Sequence, residues 1–158
     1  MSDREFLFLK TAATVEDEAG VLRDLLGLEP IPHQATAGED EFGLRGPART
    51  VDGTLGFVVH PNGFAEIDPD PGDIQVFDAY EVQIDIWLGS RGPQQQAEAR
   101  VVFDHLVAHR PDVPMLLCHN PDWLIAAYLP GRGVHDFPPG TSVDAPDAEQ
   151  WRDWAVTS

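Results

Sequence analysis

The chain has 158 residues, the size of one ordinary domain, and 42% of them are hydrophobic, enough to build a core. Its formal net charge is −17, which gives a surface that repels phosphates and argues against direct binding of DNA or RNA. The single cysteine, Cys118, excludes a disulfide within the chain.

The start of the chain predicts where the protein resides. Met1–Glu5 is followed by a short apolar run at Phe6–Leu9, too short for a signal peptide. No apolar run reaches the roughly 20 residues that a membrane span needs. We therefore expect a cytoplasmic protein that does not bind membranes.

The first elements are a strand and a helix. Residues 5–12 are apolar and favour a strand. Thr14 is a suitable N-cap for a helix over 15–26, whose apolar residues recur at helical spacing. Gly27 can cap its C-terminal end, and Pro30 prevents continuation.

The middle of the chain predicts strands separated by polar loops. Residues 31–53 are polar and Gly-rich, with a possible short strand at 42–45, and 54–60 alternate as a strand does. Residues 65–78 contain Asp68, Asp70 and Asp73 among prolines, and we interpret them as a rigid acidic loop.

Residues 80–88 form the clearest strand pattern in the chain. Tyr80, Val82, Ile84, Ile86 and Leu88 fall on one face, which we expect to be buried. The other face is predicted to be accessible, and it carries Glu81, Gln83, Asp85 and Trp87.

The last third predicts a second helix and two more strands. Gly92-Pro93 opens the helix, and Arg110-Pro111 ends it. Residues 115–119 and 123–129 are predicted strands, residues 131–140 a loop, and about 147–155 a short helix with Trp151 and Trp154.

The predicted order is β-α-β-β-β-α-β-β, which is typical of an α+β fold. We expect one mostly antiparallel sheet with the two main helices packed on one of its faces. Residues 1–145 are predicted to form this single domain, and residues 146–158 a short helix or tail docked on it.

Three groups of residues have side chains that can bind metals or take part in catalysis. In each group, the spacing favours a structural role instead. His105 and His109 lie four residues apart on the second helix, where we expect surface histidines. Cys118 and His119 are adjacent on a strand and therefore point to opposite faces, so they cannot act as a pair. Asp68, Asp70 and Asp73 do not match a calcium loop. We predict no catalytic residue, metal or cofactor.

The acidic surface around the clearest strand is the candidate binding site. Between Arg49 and Arg91 the chain has no Lys or Arg, whereas the interval holds eight acidic residues. Interfaces favour aromatic anchors inside a polar rim, and Trp87, with Phe64 and Phe77 nearby, offers them. The predicted partner-binding residues are Glu81, Gln83, Asp85, Trp87, Asp68, Asp70 and Asp73.

One short segment is similar to a known enzyme superfamily. Leu22-Arg-Asp-Leu-Leu-Gly-Leu-Glu29-Pro30 resembles the first helix of the vicinal-oxygen-chelate (glyoxalase) superfamily. The resemblance implies a metal-dependent enzyme or small-molecule binder, whose metal ligands are His and Glu residues on facing strands. His60, Glu81 and His119 are the candidates in this chain.

Residues 80–88, the predicted helix 97–110, and residues 114–120 followed by 123–129 give the chain a recognisable overall layout. In this layout it resembles small acidic actinobacterial immunity proteins of polymorphic toxin systems. The resemblance implies a cytoplasmic inhibitor that binds and neutralises a cognate toxin, and it carries over no catalytic residue.

We therefore predict a non-catalytic acidic binding protein, an immunity protein whose partner is a toxin with a basic surface. The alternatives are the glyoxalase-like metal enzyme or small-molecule binder, and a subunit or scaffold of a larger complex anchored by Trp151 and Trp154.

Overall fold

The structure is a computed structural model that describes residues 3–31, 41–64, 76–89, 94–143 and 147–155. These residues form one eight-stranded sheet and three helices. In chain order the elements are β1 (Glu5–Leu9), α1 (Val15–Leu26), β2 (Glu29–Pro30), β3 (Phe42–Pro47), β4 (Thr54–Pro61), β5 (Val82–Leu88), α2 (Gln94–His109), β6 (Met115–His119), β7 (Trp123–Leu129), β8 (Gly133–Asp136) and α3 (Ala148–Trp151).

The first strand of the chain lies inside the sheet. The strand order is β2-β3-β4-β5-β1-β6-β7-β8, and each of these pairings is antiparallel. Strand β1 therefore joins two meanders, one from β2 to β5 and one from β6 to β8. Helix α2 connects β5 to β6 across β1. The α+β prediction is confirmed.

The ends of α1 follow from local sequence. The Thr14 side chain accepts a hydrogen bond from the Asp17 backbone N–H, as an N-cap does. Gly27 adopts a left-handed conformation with φ of 65°, which glycine tolerates without a Cβ penalty, and its N–H bonds to the Arg23 carbonyl. The predicted bounds and both caps are confirmed.

Helices α1 and α2 pack on the same face of the sheet, here called the helix face. Apolar residues at alternate positions of the strands meet the apolar stripes of the two helices there. The core of this face includes Leu7, Phe57, Ile84, Ile86, Leu22 and Phe103. The prediction that both main helices lie on one face is confirmed.

The opposite face, here called the outer face, is only partly covered by apolar side chains. Over β1 and β6, Phe6 and Phe8 pack with Phe64, Phe77 and Tyr80 in an aromatic cluster, in which Phe8 and Phe77 stack at 4.6 Å between ring centroids. On the same face Trp151 of α3 is buried in the core that this cluster forms part of. Trp154 packs against that core.

Two expectations about the elements were wrong, and one strand was not predicted. Tyr80 does not share the helix face with Val82, because β5 begins at Val82 and Tyr80 belongs to the outer-face core. Residues 133–136, expected as loop, form β8, because β7 supplies a hydrogen-bonding edge that the local sequence does not reveal. Strand β2 was also missed, being two residues long. No helix in the described part of the chain is long and apolar enough to cross a membrane.

Candidate functional site

The candidate site lies on the outer face of β5. The core residues Val82, Ile84, Ile86 and Leu88 point to the helix face, so the residues between them point to the outer face. Trp87 therefore points away from α1 and α2. Together with other residues of β4 and β5, and with Arg4, which directly precedes β1, it forms a group that we call the β5 cluster. Its members are Arg4, Gly56, His60, Gln83, Asp85 and Trp87.

Asp85 lies at the centre of the β5 cluster. Its Oδ1 accepts hydrogen bonds from His60 Nε2 at 3.0 Å and from Gln83 Nε2 at 2.7 Å. Its Oδ2 lies 3.6 Å from a terminal nitrogen of Arg4. The Asp85 side chain is only 14% exposed, and the hydrogen bonds from His60 and Gln83 fix the orientation of its carboxylate.

His60 is held so that both ring nitrogens face acceptors. Nδ1 lies 2.7 Å from the Pro61 carbonyl, and Nε2 bonds to Asp85. Because neither partner can donate, both nitrogens must carry a hydrogen to satisfy these contacts. Burial alone would lower the pKa of His60. The hydrogen bond and charge of Asp85, with smaller contributions from Pro61 and Glu41, raise it above the ordinary 6.5.

Trp87 is fixed against the sheet. Gly56 lies opposite it on β4, and a Cβ at Gly56 would lie 2.3 Å from the indole ring, so the ring uses the space that glycine leaves. The Arg4 guanidinium lies over the indole, 4.8 Å from the ring centroid. Trp87 remains half-buried, which leaves part of a rigid aromatic surface accessible.

The remaining predicted site residues differ in their surroundings. Glu81 is exposed and pairs with Lys10 at 2.9 Å. Gln83 was expected to be accessible, and this was wrong: it is 2% exposed, because it bonds to Asp85 and accepts a hydrogen bond from the Gly63 N–H. Asp68, Asp70 and Asp73 lie outside the described residues.

The site is less purely acidic than the sequence interval predicted. Arg4 and Lys10, both from the N-terminal part of the chain, pair with Asp85 and Glu81. Phe64 and Phe77, expected beside Trp87 at a partner surface, pack into the aromatic cluster instead. Sequence reasoning missed Arg4 and considered His60 only as a metal ligand. Both residues reach Asp85 through the pairing of distant strands, which local sequence does not reveal.

A second histidine–carboxylate pair lies on the helix face. His119 Nδ1 bonds to Glu5 Oε1, and the other oxygen of Glu5 accepts a hydrogen bond from Gln95 at the start of α2. Glu5 is 1% exposed. His60 and His119 therefore lie on opposite faces of the sheet, so they cannot converge on one metal ion as the glyoxalase resemblance implies.

The other candidate residues have structural surroundings. Cys118 is buried, which raises the pKa of its thiol well above the ordinary range, and it lies on the face opposite His119. His105 and His109 are exposed on α2, as expected. Within the described ranges there is no group of three or more His, Cys, Asp or Glu side chains placed to hold a metal ion.

Comparisons with known proteins found no relative: no protein-family model matches the chain, and no curated protein or solved structure is significantly similar to it.

Proposed function

We propose that this chain is a non-catalytic binding protein that captures a basic protein partner, such as a toxin that it neutralises as an immunity protein. The observation that carries the proposal is Trp87, a rigid and partly accessible aromatic side chain on the sheet face away from α1 and α2. Large aromatic side chains that are already fixed lose little entropy on binding and are frequent binding hot spots.

The charge of the chain supports a basic partner. With 27 acidic and 10 basic residues, the protein has a negative field that accelerates encounter with positive surfaces. Glu81 and Asp85 already have basic partners within the chain, so the partner's positive charge must compete with Arg4 and Lys10 or meet other acids around the site. Association should therefore slow as salt is added.

Trp123 provides a matched control for the role of Trp87. It is 43% exposed and is paired with His119, which places it on the helix face. Both residues are tryptophans of a sheet with accessible ring surface. A partner that binds the outer face contacts Trp87 and leaves Trp123 free.

The test starts from a partner captured by the tagged protein in its native host and then purified. Titration calorimetry at low and high salt would compare the wild type with Trp87→Ala and Trp123→Ala. We expect about a 30-fold or larger loss of affinity for Trp87→Ala and less than about threefold for Trp123→Ala. Circular dichroism would establish that both variants are folded.

Two results would contradict the assignment of the site. One is an equal loss of affinity in both variants, and the other is an unchanged affinity of Trp87→Ala. Absence of any protein partner at either salt concentration would contradict the proposed function as a whole.

A further inference from the structure

We propose that Trp87 and Asp85 form a guanidinium-binding site that the chain's own Arg4 occupies, and that an arginine side chain of the basic partner displaces Arg4 from it. The inference rests on the proposed function and names the chemical group that the outer face recognises. Its physical basis is the arrangement of three side chains within the β5 cluster.

The arrangement has the two features that recognise arginine. A guanidinium is attracted to the face of an indole ring, and the Arg4 guanidinium lies 4.8 Å from the Trp87 ring centroid. A carboxylate beside the ring then pairs with the guanidinium, as Asp85 Oδ2 does with one terminal nitrogen of Arg4 at 3.6 Å. A lysine ammonium is more strongly hydrated and cannot stack its charge on the ring as a planar group.

The site keeps its shape without Arg4. Trp87 rests on Gly56, and Asp85 Oδ1 is held by His60 and Gln83. Among these contacts, Asp85 Oδ2 is the oxygen directed at the guanidinium. A site that is organised in advance spends little of its binding energy on ordering.

Arg4 is held loosely enough to leave. Its side chain is 45% exposed, and its nitrogen is farther from Asp85 than a hydrogen bond allows. The Arg4 backbone is bonded twice to Asn120, through its N–H at 3.0 Å and its carbonyl at 2.8 Å. The side chain can therefore swing into solvent while the strand stays in place.

A second arginine–tryptophan pair serves as a comparison, because its tryptophan ring also contacts another ring of the chain. The Arg132 guanidinium lies 4.1 Å from the Trp154 ring centroid, but Trp154 is also stacked on His135 at 4.5 Å. Arg132 donates to the Asp153 backbone carbonyl, and no ion pair joins it to a side-chain carboxylate among the described residues. Arg132→Ala is therefore the matched control for Arg4→Ala.

The experiment uses two amidated tripeptides, Gly-Arg-Gly and Gly-Lys-Gly, as probes for the full chain. Heteronuclear NMR would follow the Trp87 indole N–H, identified by its loss in Trp87→Phe, during titration of each variant. We expect Arg4→Ala to bind the arginine peptide about three- to tenfold more tightly than the wild type, because the internal competitor is gone. Arg132→Ala should bind as the wild type does.

Specificity is checked in the same titrations. The lysine peptide should bind Arg4→Ala several-fold more weakly than the arginine peptide, and Arg4→Ala combined with Asp85→Asn should lose the gain. Arg4→Gln, which keeps a polar side chain, serves if Arg4→Ala does not fold. Equal arginine-peptide affinities of wild type and Arg4 variant, or a Trp87 signal that does not move, would overturn the inference.

The outcome separates this inference from the proposed function. A basic protein partner that binds through Trp87, with no response to the arginine peptide, would overturn the guanidinium site and leave the proposed function intact. Peptide binding without any protein partner would support the site and count against the proposed function.

Discussion

The two histidine–carboxylate pairs lie on opposite faces of one sheet and differ in what surrounds the carboxylate. Glu5, on the helix face, is fully buried beneath the start of α2 and is shared by His119 and Gln95. Asp85, on the outer face, keeps some exposure and is shared by His60, Gln83 and Arg4. The helix-face pair joins strands to a helix, whereas the outer-face pair supports an accessible surface.

The two histidines also differ in the partners of their second ring nitrogen. His60 has an acceptor at each nitrogen, so its charged form is satisfied within the fold. His119 has Glu5 at Nδ1, while its Nε2 lies 4.0 Å from the exposed Asp3 carboxylate. His60 thus has a hydrogen-bond acceptor at each ring nitrogen, whereas the Asp3 carboxylate lies beyond hydrogen-bond distance of His119 Nε2.

The largest expected effect is on the helix face. Glu5→Ala removes a buried acceptor from both His119 and Gln95, and we expect the free energy of unfolding to fall by about 3 kcal/mol. Glu5→Gln keeps the side-chain size and one bond, so its loss should be about 1 kcal/mol. Urea unfolding followed by circular dichroism measures both. A Glu5→Ala loss no greater than that of the exposed Glu16→Ala would contradict the structural role of Glu5.

A smaller effect is expected at Gly56 on the outer face. Gly56→Val puts side-chain atoms where the Trp87 indole lies, so the ring must move. Overpacking of this kind costs about 1–3 kcal/mol. The same urea experiment measures the loss, and the NMR signal of the Trp87 indole N–H reports its displacement. Gly20→Val is the steric control, because a Cβ added at this α1 glycine would meet no atom within 4 Å beyond the helix's own nearby backbone. An unmoved Trp87 signal would contradict the packing of this ring on Gly56.

The smallest effect is the pH dependence that His60 contributes. Its pKa is raised in the folded protein, so its stabilisation is fully present below the unfolded-state pKa near 6.5 and is lost as pH rises through the folded-state value. The wild type should therefore exceed His60→Gln in stability by more at about pH 5.5 than at about pH 8.5. Asp85→Asn should shrink this difference, because it removes the charge that favours the protonated ring. A difference that grows with pH would refute this assignment.

The sequence by itself determined the elements with strong local signals. The bounds of α1, β6 and β7 are as predicted, since helical periodicity, the Thr14 and Gly27 caps, and compact apolar runs between turns are properties of neighbouring residues. The α+β class follows from the order of these elements. Strand β8 was not predictable in the same way, because its four residues depend on the edge of β7.

Only the tertiary structure decided which residues share a site. Glu5 and His119 are 114 residues apart in the chain, and His60 and Asp85 are 25 apart. Strand register brings each pair together, and a shift of one residue would send these side chains to the other face. Alternation in residues 80–88 placed Asp85 and Trp87 on one face, but it could not show that Arg4, which directly precedes β1, would contact both. Local patterns fix the faces of single strands, whereas pairing between distant strands fixes the chemistry.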